Sequence, residues 1–159
     1  WKSPIVKFFS DAEKADLQDK HLRAVAESQN IRRRGQQDVE KERKFGIERF
    51  ARDLLSVADN LERGLAAIPE DMRGDERLKG LIAGLEATSR ELSAVFQRQG
   101  ITRIAAMGLP LDPNRHQAML EVPSTDAEPG TIVQEMQSGW MIRDRLLRPA
   151  LVGVAKKVE

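Results

Sequence analysis

Between Asp11 and Ile68 the chain runs without a proline, and Glu, Lys, Arg, Gln, Ala and Leu dominate. This stretch restricts the fold more than any other feature. Strong helix formers with no interruption predict one very long helix, roughly 85 Å at about 1.5 Å per residue. The composition agrees with a largely solvated helix. Charged residues make up 32% of the 159 positions, aromatics only 4%, and tyrosine is missing, so the chain lacks the bulky apolar groups of a thick single core.

The apolar positions of this stretch repeat every eleven residues, at Leu17, Ser28, Val39, Phe50 and Leu61, and again at Ala24, Gly35, Gly46, Val57 and Ile68. A repeat of about 3.67 residues per turn lets two such helices lie side by side, nearly straight or with slight right-handed coiling. Before Phe45 the seam is thin, with Ser28 and Gly35, and with Gly46 just beyond, where a tight pair would place larger side chains. After it, Ile47, Phe50, Leu54, Val57, Leu61, Leu65 and Ile68 form a stripe able to join a bundle. The thin half is therefore expected to melt first. Gly35 and Gly46 also lower its helix propensity, by about 1 kcal/mol each relative to Ala.

Pro69 and Gly74 break this helix, and a second helical pattern follows with Leu78, Leu81, Leu85, Leu92, Val95 and Phe96, closing at Gly100. Two helices from one chain make half a bundle, which predicts a dimer. Beyond Gly100 the texture becomes β. The segments ITRIAA, HQAMLEV, GTIVQEMQ, GWMIRD and RLLRPALVGVAKK predict about four to six strands in a compact terminal domain. The expected boundaries are a flexible segment over 1–10, the long helix over 11–68, the bundle helix over 69–100 and the β domain over 101–159.

Signatures of catalysis are missing: the sequence has no GxxxxGK[ST], no GxGxxG after a strand, no HExxH and no GxSxG. With no cysteine and only two histidines, thiolate metal sites and thiol nucleophiles are excluded. His21 lies on a charged helical face and reads as solvated. His116, just after the Asp112-Pro113 turn, reads as a strand residue bonded to that turn; a metal site there needs an unusual carboxylate set. Neither a catalytic residue nor a cofactor nor a metal is expected, and the chain does not read as an enzyme.

Residues 31–52 hold eight Lys or Arg against four Asp or Glu, with Arg32, Arg33 and Arg34 consecutive. A basic dimeric coiled coil on nucleic acid is one reading. Interspersed acids repel phosphates, and the net charge is only +1, so an acidic protein surface is the better partner. No apolar run reaches the roughly 20 residues of a membrane span, so a soluble chain with no membrane partner is expected. The opening WKSPIVKFFS is too short for a signal peptide, and a first residue of Trp reads as an internal start. Its apolar run between Lys2 and Lys7 looks like a segment that a chaperone's peptide site could bind, although simple disorder is an alternative.

The stretch LDPNRHQAMLEVPSTDAEPGTIVQEMQSGWMIRDRLLRPALVGVAKK strongly resembles the signature of the GrpE family, nucleotide exchange factors of DnaK-type chaperones. The resemblance extends to NIRRRGQQDVEKERKFGIERFARDLLSVADNLERGL, and together the regions span roughly residues 15–157. It implies an α+β fold: long helices paired in a parallel homodimer, a four-helix bundle from both chains, and a small all-β wing on each. It further implies a heat-shock co-chaperone whose wing grips the chaperone's nucleotide-binding domain and opens it to release ADP. Location follows as the bacterial cytoplasm, or alternatively the mitochondrial matrix.

Carried over residue by residue, the resemblance places partner contacts at Arg32, Arg33 and Lys41 on the long helix and at Pro113, Met136 and Arg145 on the wing. Asp112 and His116 shape the loop that presents Pro113, and ordinary strand packing is the alternative for Met136. Phe50, Leu54, Val57 and Leu61 are assigned to the dimer and bundle, with Gly84 where the second helix packs closely. Because the contact residues of the long helix lie on its thin half, unwinding there makes the helix a thermal sensor. Arg148 receives no role, either as core support or as a contact.

Overall fold

The computed structural model describes residues 9–158, which divide into two units after Gly46. The proposed peptide-like segment WKSPIVKFFS lies, up to Phe8, outside the described residues.

The first unit is helix α1 (Asp11–Phe45). Ser10 starts it with a reciprocal cap. Its hydroxyl accepts from the Glu13 N–H at 3.2 Å, and the Glu13 carboxylate accepts from the Ser10 N–H at 2.7 Å, so two otherwise orphaned donors are satisfied. The hydrogen bond from the Ser10 backbone, then that from its hydroxyl, holds the Glu13 carboxyl below its ordinary range. None of the described α1 side chains is buried within one chain, and Leu17, Leu22, Ile31 and Val39 all stand exposed.

Helix was expected without interruption over 11–68, and it is present in two segments. α1 ends at Phe45, α2 (Glu48–Ala66) follows, and Gly46 and Ile47 form a turn between them. The Gly46 N–H still reaches the Glu42 carbonyl at 2.7 Å, but Ile47, at φ −88° and ψ 0°, has left the helical region. A Cβ on residue 46 would lie 2.7 Å from that same carbonyl. This tight turn therefore selects glycine, whereas Gly35 sits inside α1 with open space around it.

In the second unit α2 packs against α4 (Lys79–Arg98), with the short α3 (Glu70–Arg73) between them. Ala51, Leu55 and Ala58 recur at helical spacing and are the buried side chains of α2; Ile82 and Phe96 are those of α4. The Leu65 carbonyl, whose i+4 donor would be the N–H that Pro69 lacks, accepts from the Ile68 N–H at 3.4 Å and from the Arg73 guanidinium at 2.5 Å. α4 closes as expected at Gly100, whose φ of +77° only glycine adopts without strain.

The β domain holds strands β1 (Ile101–Arg103), β2 (His116–Ser124), β3 (Ile132–Gln137), β4 (Trp140–Ile142), β5 (Arg145–Arg148) and β6 (Ala150–Lys157). Pro149, which has no N–H for a ladder, separates β5 from β6 within the single run RLLRPALVGVAKK. One sheet is ordered β1-β4-β5 and antiparallel; the other is β2-β6-β3, with β2 parallel and β3 antiparallel to β6. Ala106, Ile132, Ala150 and Val152 form the core beneath the second sheet. Phe96 of α4 meets Trp140 of β4 edge to face, with ring centroids 5.2 Å apart, and so ties the first sheet to the helices.

Candidate partner interface

Pro113 is held at the tip of a turn that His116 builds. The Asp112 carboxylate accepts from the Asn114 N–H at 2.9 Å, and the Asp112 carbonyl accepts from the N–H groups of Arg115 (3.0 Å) and His116 (2.7 Å). The His116 ring closes the arrangement from inside. Its Nδ1 accepts from the Asp112 N–H at 3.0 Å and its Nε2 lies 2.9 Å from the Ala105 carbonyl. Those partners require the neutral tautomer with the proton on Nε2, and both nitrogens are then occupied. His116 is buried and structural, and Pro113 stands exposed above it. Among the described residues no cluster of His, Asp and Glu is arranged to hold a metal.

Met136 lies on β3 and remains 42% exposed, lining a groove with Asp59, Glu62 and Arg103. Arg145 opens β5, in the other sheet, where its guanidinium donates to the Glu48 carboxylate of α2 at 2.9 Å. Pro113, Met136 and Arg145 thus come from a turn and two strands of different sheets. Arg145 also secures the wing to α2.

On α1 the three predicted contacts are exposed but do not share a face. Arg32 and Lys41, nine residues apart, point about 180° from each other around the axis, with Arg33 between them. Arg33 and Lys41 flank one shallow groove with Gln37 and Phe45, whereas Arg32 borders another with His21 and Ser28.

The apolar residues of α2 divide into two stripes. Leu55, fully buried, marks the stripe that faces α4 within the chain; Phe50 and Val57, 69% and 52% exposed, mark a second that the chain leaves uncovered, with Leu54 and Leu61 half-buried along it. Leu81 and Leu85 of α4 are exposed as well. Gly84 lies beside them, and a Cβ there meets nothing within 4 Å. Close packing at Gly84 is therefore not made within one chain.

Arg148, left without a role by sequence, is held through three guanidinium nitrogens. It donates to both Asp59 oxygens at 2.7 and 3.0 Å and to the Ser138 carbonyl at 3.1 and 2.6 Å. Nearby, Arg103 bridges Glu62 at 3.1 Å and Glu135 at 2.8 Å. Burial alone lowers the Arg103 pKa. The hydrogen bond to Glu135 and the charges of Glu62, Glu135 and Asp59 outweigh that and raise it. No local signal marks these pairs, because their members lie 32 to 89 residues apart in sequence.

Comparison with known proteins bears on the same regions. The GrpE family model matches residues 7–156. The chain is similar to a Protein GrpE of Erythrobacter litoralis, 62% identical over 147 residues, which covers 91% of this chain and 75% of the relative. It is 63% identical to that of Novosphingobium aromaticivorans over 136 residues (86% and 73% covered) and 56% identical to that of Rhizorhabdus wittichii over 158 residues (99% and 86% covered). With a long helical run leading into a small β domain and a family match across both, this chain belongs to the GrpE family of co-chaperones, the nucleotide exchange factors of DnaK-type chaperones.

Proposed function

We propose that this chain acts as a homodimer whose wing engages the nucleotide-binding domain of a DnaK-type chaperone through Pro113, Met136 and Arg145, with Arg32, Arg33 and Lys41 contributing from the long helix. The observation that carries the reading is the rigid turn at His116, which presents an exposed proline instead of holding a ligand. A partner shifts an equilibrium only by binding one state better than the other. The wing accordingly favours the open nucleotide cleft over the closed one, and ADP leaves. The chaperone's cleft supplies all the bond chemistry, and the exchange factor itself holds no cofactor and turns over no substrate.

The uncovered stripe of Phe50 and Val57 supports pairing of two copies. No helix among the described residues is long and apolar enough to cross a membrane. The bacterial relatives favour work in the cytoplasm. The alternative of a basic coiled coil on nucleic acid loses ground to the acids paired along α1, such as Asp16 with Lys20 and Glu40 with Lys44. Stopped-flow release of a labelled ADP from a DnaK-type chaperone tests the reading. Acceleration by the wild-type chain that is lost in Met136→Ala supports it; release at the unassisted rate overturns it.

A further inference from the structure

The wing meets α2 along a row of polar contacts. Glu48 takes Arg145, Arg52 donates to the Leu147 carbonyl at 3.2 Å, Asp59 takes Arg148, and Glu62 takes Arg103. Positions 48, 52, 59 and 62 fall within about 80° of each other around a helix of 3.6 residues per turn. They form one charged edge directly beside the buried Ala51, Leu55 and Ala58. Three of the rungs are exposed or singly bonded, the kind of contact worth little in water. The Asp59–Arg148 rung differs. Both side chains are only 17% exposed, the pairing is bidentate, and the same guanidinium grips the Ser138 carbonyl in the β3–β4 connection. Charge-assisted forks of this kind fix direction as well as distance.

We infer that Asp59 and Arg148 are positioning residues for nucleotide exchange: their fork locks the wing to α2, so that the wing acts as a rigid lever. The inference rests on the wing being the partner-binding element. Its consequence follows from the requirement for differential binding. A wing that pivots follows the chaperone lobe in its closed position as readily as in its open one, so it still binds but no longer forces the cleft apart. Loss of the fork therefore lowers the maximal rate of ADP release while leaving the concentration for half-maximal effect near its wild-type value. A lost contact residue does the reverse.

The lever is measured first without any partner. The chain has no cysteine, so Ser56→Cys on α2 and Glu128→Cys on the wing give unique spin-label sites, read by pulsed electron resonance in dimers diluted with unlabelled chain. Asp59→Asn is expected to broaden the distance distribution and Asp59→Glu to restore it partly, while Glu62→Gln leaves it narrow. In exchange assays Asp59→Asn is expected to lower the maximal rate about tenfold, the effect of roughly 1.4 kcal/mol. If that variant loses its wing strands by circular dichroism, both measurements are read on Arg148→Lys, which keeps the charge and loses the fork. An unbroadened distribution overturns the lever, as does an unchanged maximal rate or a defect confined to half-saturation. A wild-type chain that fails to accelerate release overturns the proposed function instead, and the spin-label result still judges the joint.

Discussion

The Asp112 N–H donates to His116 Nδ1 at 3.0 Å while the opposite ring nitrogen faces the Ala105 carbonyl at 2.9 Å. One imidazole thus joins the turn that carries Pro113 to the segment after β1. His116→Ala leaves both groups unpaired and should destabilise the wing by about 2 kcal/mol. Denaturant unfolding followed at Trp140 measures this. Equal stability of variant and wild type would show the two bonds to be dispensable.

The two apolar stripes of α2 separate dimerisation from folding. Val57→Asp places a charge on the uncovered stripe and should give monomers with folded wings, since a charge without a partner is strongly unfavourable in a sealed seam. Leu55→Asp, in the stripe against α4, should unfold the helical pair itself. Sedimentation with circular dichroism distinguishes them, and a Val57→Asp chain that remains dimeric at micromolar concentration refutes the assignment.

Which stripe faces inward was not legible in the sequence. Apolar residues spread around α2 from Ile47 to Ile68, and periodicity alone favoured the large side chains Phe50 and Val57, whereas the intrachain contact uses the smaller Ala51 and Ala58 around Leu55. Pro69 after α2 and Gly100 after α4 were legible as element ends, because proline and glycine dictate the backbone there; the turn at Gly46 and the break at Pro149 were not, since the helical and apolar patterns run on unchanged to either side of them. The turn at His116 was readable because Asp112, Pro113 and His116 are neighbours in the chain. The Asp59–Arg148 fork was not, because its partners are 89 residues apart and nothing local to either announces the other. Nor does local pattern fix the parallel pairing of β2 with β6.

Arg145 has two roles to separate, contact with a chaperone and attachment to Glu48. Glu48→Gln removes the ion pair and keeps the guanidinium. If Arg145 acts by contact, Arg145→Ala should raise the concentration needed for half-maximal exchange about tenfold, roughly 1.4 kcal/mol of binding, and Glu48→Gln should change it little. Equal effects of the two variants would reassign Arg145 to attachment.

The cap on α1 makes its first turn sensitive to acid. The Glu13 carboxyl is held below its ordinary value of 4.5, so its contribution to the folded cap is complete above that value and disappears as pH falls through the lowered one. The protection of the Ser10 and Glu13 amides, taken relative to their intrinsic exchange rates at each pH, should fall over that acidic window. Ser10→Ala, which removes the hydroxyl, should weaken the pH dependence; the same profile in both chains would assign the acid sensitivity elsewhere.

The thermal behaviour of α1 depends on two glycines that the structure sets apart. α1 buries no described side chain within one chain, so its pairing rests on a thin seam and should open before the second unit unfolds. Gly35 has open space around it, and Gly35→Ala should stabilise the helix by about 1 kcal/mol and move the early loss of signal at 222 nm upward. Gly46→Ala should not. Its Cβ would lie 2.7 Å from the Glu42 carbonyl, so the turn must shift, and the gain in propensity is offset by that strain. Exchange measured across the same temperatures should fall with the early transition and be rescued by Gly35→Ala alone. A single melting transition that coincides with loss of the dimer, and that neither substitution moves, would remove the long helix as a thermal sensor.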